Sequence, residues 1–182
     1  MAPVLLYRRA VDLHETKDRI AVALVESIFR RARYRVRPFD ADGSKPRFVR
    51  EDFAPSFFVF VPGPEGAERE FLIDVTYRPF VEQFIALENK RRDSSIFVLA
   101  RRHWPALHFV LVTDHPGPGR SCFQAVTLGE RGAEVRLRTV DLVDLAEFGV
   151  FPHNVADHEE LLLRIFAMLS ADRHRREQPH AG

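Results

Sequence analysis

Phe71-Leu72-Ile73-Asp74-Val75-Thr76-Tyr77-Arg78-Pro79 sets a single carboxylate inside an apolar run. Side chains alternate along a strand, so Asp74 and Thr76 share one face, opposite Ile73 and Val75. A carboxylate in such a strand is costly unless a basic group pairs with it or it binds a cation. An ion pair with Arg78 or another arginine answers the first need. A metal ion, which prefers carboxylate oxygens when it is a hard divalent cation, answers the second.

Other groups capable of chemistry are spread more thinly. Basic residues gather at Arg30, Arg31, Arg33, Arg35 and Arg37, at Lys90, Arg91 and Arg92, and at Arg101, Arg102 and His103. With Tyr34, Tyr77 and Trp104 nearby, such patches could hold phosphates and stack bases. The competing reading is a mixed charged surface, with Arg30, Arg31 and Arg33 favourably placed at a helix C-terminus. His153, Asp157 and His158 match no standard zinc spacing, and Asp157 is better read as a helix cap. Cys122 beside Phe123 reads as a core residue rather than a nucleophile. No phosphate-binding glycine loop, dinucleotide fingerprint or nucleophile-elbow motif occurs.

Composition narrows the setting. A chain of 182 residues with 46% hydrophobic content and 16 Phe can build one sizeable core, expected over residues 1–170 with a flexible tail at 171–182. The net charge is only +1, so attraction to nucleic acid must come from a local patch. Cys122 is the one cysteine, which rules out an internal disulfide and a cysteine zinc cage and fits a cytoplasmic protein. No apolar run reaches the roughly 18 residues of a membrane span.

The elements that must position Asp74 follow from periodicity. Residues 13–33 read as a helix, with Asp12 and Glu15 at capping-box spacing and an apolar stripe through Ile20, Leu24 and Ile28. Residues 34–39 alternate as a strand, 40–47 read as a loop, and 56–61 and 70–77 as a strand hairpin around Pro62-Gly63-Pro64-Glu65-Gly66. Pro79 opens a helix to about residue 90, which residues 94–103 continue or restart. Strands follow at 107–113, 122–128 and 134–140, then a short helix at 141–147 and a terminal helix at 157–169, with Pro152-His153-Asn154 as a breaker between them. The fold class is α/β. Strands 56–61, 71–77 and 107–112, continuously apolar, belong in one mixed sheet covered on both faces by the helices at 13–33 and 79–90.

Helix, three strands, helix, strand is also the core order of the PD-(D/E)XK, or restriction-endonuclease-like, nuclease superfamily. The stretch from Asp12 to Thr113 resembles its compact members, such as Holliday-junction resolvases, with the C-terminal strands and helix as additions. In that family a glutamate lies near the start of the first helix, followed by an aromatic-x-Val strand; Glu15 and Tyr34-Arg35-Val36 are similarly spaced. The second strand opens with Pro-Asp, where this chain has Pro55-Ser56. The third carries acidic-x-lysine, where this chain has Asp74-Val75-Thr76.

The resemblance implies a site built from Glu15, Ser56, Asp74 and Thr76, with Asp74, Glu15 and Asp52 as ligands of Mg2+ if the protein is active. Asp52, four residues before Ser56, is a substitute acid. Lys90 or Lys17 could supply the ammonium, and Glu82 and Glu88 are further acids. Because the aspartate and lysine positions hold Ser56 and Thr76, the resemblance implies a degenerate member. Such a protein would bind nucleic acid, DNA ahead of RNA, through Arg30, Arg31, Arg35, Arg78, Arg91 and Arg92, with weak or no phosphodiester cleavage. The rival expectation is a non-catalytic interaction or homodimerisation module that keeps only the fold.

Overall fold

A computed structural model describes residues 12–39, 47–48, 51–131 and 134–177. The architecture is mixed α/β: a six-stranded mixed sheet with helices on both faces. In chain order the elements are α1 (Leu13–Arg31), β1 (Arg35–Pro38), β2 (Arg47–Phe48), β3 (Glu51–Asp52), β4 (Phe57–Pro62) and β5 (Glu68–Tyr77). Then come α2 (Val81–Arg91), α3 (Ile96–His103), β6 (Leu107–Val112), β7 (Phe123–Arg131), β8 (Glu134–Asp141) and α4 (Pro152–Glu177). The sheet order is β1-β4-β5-β6-β7-β8, and β2 pairs with β3 separately. All neighbours in the large sheet are antiparallel except β5 and β6. A parallel pair needs a crossover, and α2 with α3 supplies it.

Strand alternation divides the core. Ile73, Val75 and Tyr77 pack with Val110 and Val112 under α1 and α4, around Phe29, Phe148 and Phe166. Leu72, Phe109 and Leu111 pack on the other face with Phe97 and Ala100 of α3 and Ile85 of α2. Each fully buried large apolar side chain of this kind contributes roughly 1.5–3 kcal/mol. Asp74 and Thr76 therefore face the α2/α3 layer. The β8 edge is covered: the Asn89 side-chain amide donates to the Leu137 carbonyl at 3.0 Å and accepts the Leu137 N–H at 2.8 Å, which denies that strand a partner there.

The sequence expectations for the central strands hold in one sheet, while several boundaries shift for physical reasons. Helix α1 stops at Arg31 because Arg33 turns left-handed at φ 66° and the Tyr34 N–H returns to the Phe29 carbonyl, a Schellman ending built without glycine. Pro152 does not break α4 but opens it, where the missing N–H costs nothing. That helix continues to Glu177, through the start of the expected flexible tail. Residues 141–147 hold only a 3-10 turn at Leu142–Asp144. Ser95 caps α3 by accepting the Phe97 N–H, so the helix restarts rather than continues. Residues 40–46 of the expected loop lie outside the described residues; Arg47 belongs to β2.

Candidate functional site

Strands β4 and β5 are paired from Pro62↔Glu68 to Phe57↔Ile73. Beyond Ile73, β5 runs on to Tyr77 alongside β6, but β4 has peeled away. The backbone N–H groups on the exposed edge must still be satisfied. Ser56 Oγ accepts the Val75 N–H at 3.0 Å, and Asp18 Oδ1 of α1 accepts the Tyr77 N–H at 2.8 Å. Side chains thus replace the missing strand, and a cleft of about 300 Å³ opens where the strands diverge. Its polar end holds Asp18, Ser56, Asp74, Thr76 and Arg78; its apolar walls are mainly Phe53, Phe84, Ile96, Phe97, Phe109 and Leu111.

Asp74 lies at the buried end, 7% exposed. Thr76 Oγ1 donates to Asp74 Oδ2 at 3.2 Å. Burial pushes the Asp74 carboxyl up to about 7; the nearby Asp18 charge adds to the rise, and the Thr76 hydrogen bond and the Arg78 charge oppose it. Arg78 supplies the cleft with a cation that is not spent on Asp74. Its guanidinium sits 4.5 Å from the Phe84 ring centroid, Nη1 reaches the Tyr77 carbonyl at 3.4 Å, and Nε is buried with no hydrogen-bond partner among the described residues.

The residues implied by the family resemblance fall in different places. Asp74, Ser56, Thr76 and Arg78 come together in the cleft. Glu15 does not: it is exposed on α1 and bonded to Arg19 at 2.5 Å, one turn away from the position where an acid enters the site. That position is Asp18. Lys90 is exposed on α2 and is no part of the cleft lining. Asp52 belongs to β3, with its side chain outside the described residues. Glu88 is buried as a structural acceptor for the Ile96 N–H and Arg91, while Glu82 is exposed. Arg30, Arg31 and Arg35 are exposed and engaged with Glu26, Asp157 and Glu68, and Arg91 with Glu88. Arg92 is exposed at φ 50°, beyond the end of α2.

Asp18 carries only a border signal in the sequence. Its i+3 and i+7 neighbours, Ala21 and Val25, are wholly buried, so it lies in line with the helix face that meets the sheet. The capping-box spacing draws attention to Glu15 instead, although Asp12 alone forms the cap by accepting the His14 N–H.

Lys17, the other ammonium considered for the site, projects to the opposite face of β5. It pairs with Asp114 at 2.7 Å, and Asp114 also accepts the Tyr77 hydroxyl at 2.7 Å. This cluster ties α1 to the end of β6 under α4.

Among the described residues no three His, Cys, Asp or Glu side chains gather as a metal-binding group, and no helix is long and apolar enough to cross a membrane. Asp18 and Asp74 line the same cleft, together with the hydroxyl-bearing Ser56 and Thr76. The chain matches no known family model, and comparison with curated proteins and with solved structures gives no significant match.

Proposed function

We propose that the chain is a nucleic-acid-directed protein with a degenerate restriction-endonuclease-like core, binding DNA or RNA and cleaving it weakly or not at all. The carrying observation is the buried Asp74 carboxyl in a cleft where β4 leaves β5, with Asp18 entering from the first helix and Arg78 beside it. The order α1-β1-β4-β5-α2-β6 supports the reading, as do two antiparallel steps followed by a parallel one.

Asp18 and Asp74 would hold Mg2+, whose chemistry is to neutralise phosphate charge and lower the pKa of a bound water. Thr76 then orients the Asp74 carboxylate through its hydroxyl but brings no positive charge to a phosphate. Arg78 brings one, from a guanidinium resting on Phe84 rather than from an ammonium beside Asp74. Loss of one preorganised electrostatic group costs about 10²–10³ in rate, which is why weak or absent cleavage is expected. The test is a magnesium and manganese cleavage assay on single-stranded, duplex and branched DNA and on RNA, run beside a binding assay. Binding without appreciable cleavage is the expected result; absence of binding to every form would overturn the reading.

A second reading is a non-catalytic interaction module. It is favoured by Leu161 and Met168, 43% and 68% exposed and two turns apart on α4. Concentration-dependent dimerisation abolished by Met168→Glu, with no nucleic-acid binding, would support it.

A further inference from the structure

The cleft offers more than contacts for a phosphate. Its polar end holds two carboxylates and one guanidinium, and nine of its fourteen lining residues are aromatic or aliphatic. Phe97 and Phe109 form the floor, 4.7 Å apart edge to face, and both are 2% exposed. Phe53 and Phe84, half-buried, rise from this floor: Phe53 lies 6.0 Å from Phe109, and Phe84 lies 5.7 Å from Phe97. Arg78 covers Phe84, and its Nε is buried with no hydrogen-bond partner among the described residues.

A ligand that fits must be flat, apolar on its faces, and equipped at one edge with donors for Asp74 and acceptors for Arg78. A nucleobase has this form. At about 300 Å³ the cleft lies at the small end of ligand pockets, matching one base rather than a stacked run. In a duplex, stacking covers the faces of a base and its partner occupies the hydrogen-bonding edge, so only an unstacked base can enter.

The geometry points to a base-accepting pocket: the cleft takes one unstacked nucleobase, its faces against Phe53 and the Phe84–Arg78 stack and its edge toward Asp74. The preferred ligands are then single strands, strand ends and duplexes with a mismatched or unpaired base. This deepens the nucleic-acid reading above and rests on it.

The experiment uses the full chain and fluorescent DNA in three forms: a single strand containing 2-aminopurine, the intact duplex, and that duplex with 2-aminopurine opposite an abasic site. The expected result is affinity for the first and third forms about tenfold or more above that for the intact duplex, with a change in 2-aminopurine emission on binding. Phe53→Ala should remove most of this advantage. Phe53→Leu, which keeps apolar bulk, guards against loss of the fold and should lose the emission change as well. Equal affinity for all three forms, with silent emission, overturns the pocket while leaving the nucleic-acid reading standing. Failure of every form to bind overturns both.

Discussion

Asp18 on the first helix accepts the backbone N–H of Tyr77 at 2.8 Å, so a carboxylate takes the place of the strand that β4 no longer provides. The same carboxylate raises the pKa of Asp74 by charge repulsion. One side chain thus serves the fold and tunes the cleft, and the two roles separate on substitution. Asp18→Ala strands the Tyr77 N–H and is expected to cost about 1–3 kcal/mol in denaturant unfolding. Asp18→Asn keeps a carbonyl acceptor and should cost less, yet it removes the repulsion. A carboxyl titration followed by NMR should then show a lower Asp74 pKa. An unchanged Asp74 pKa in Asp18→Asn would separate the two residues electrostatically.

The pH dependence of stability follows from Asp74 itself. Its carboxyl titrates near 7 in the folded chain against an ordinary 3.8. Between those values the folded state keeps a proton that the unfolded state has released, so this group lowers stability as pH rises from about 4 to about 7. Above that range its contribution is flat. Asp74→Asn removes the titration. The variant should match the natural protein near pH 4 and exceed it near pH 8 by up to roughly 4 kcal/mol. A stability difference independent of pH would place the Asp74 proton elsewhere.

The sheet was legible because its central strands are covered on both faces. The runs through Phe57, Ile73 and Val110 are apolar at nearly every position, and no helical stripe competes with them. The site was legible at Asp74, since a lone acid in such a run demands an explanation. It was not legible at Asp18, because helix pattern alone assigns an acid beside the apolar stripe to the helix border. Only the divergence of β4 from β5 decides that Asp18 is needed there and Glu15 is not. Arg33 shows the same limit at the backbone level: a left-handed helix end is announced by glycine, and this one carries arginine.

Removing the ammonium of Lys17 should expose how the far side of β5 is held. Lys17 and Asp114 are 7% and 10% exposed at their side chains, and the ammonium also lies 5.0 Å from the Phe166 ring centroid. Burial pushes the Asp114 carboxyl up, but hydrogen bonds from Lys17 and Tyr77 outweigh it and hold the group below its ordinary value. Its stabilising contribution is therefore present at neutral pH and lost as pH falls below about 4. Lys17→Met removes the ammonium and leaves the Asp114 carboxylate with the Tyr77 hydroxyl and His115 as neighbours, so it should cost up to about 3 kcal/mol at neutral pH. Thermal unfolding should show that deficit shrinking in acid and in the double variant Lys17→Met/Asp114→Asn.

The reading of a weakened nuclease-like site is tested most sharply by adding what it lacks. Ser56 already accepts the Val75 N–H, so Ser56→Asp retains an acceptor at that edge and brings a third carboxylate to Asp18 and Asp74. Thr76→Lys places an ammonium on the Asp74 face of β5, and its attraction to the carboxylate should lower the Asp74 pKa. The double variant is expected to bind Mn2+ detectably by calorimetry where the natural chain binds it weakly. If cleavage appears, each restored group should contribute about 10²–10³ in rate. Glu15→Gln should change neither metal binding nor cleavage, because Glu15 is exposed and engaged with Arg19 outside the cleft. Robust cleavage by the natural chain, abolished by Asp74→Asn, would instead mean that Arg78 or a residue outside the cleft lining already fills the missing role.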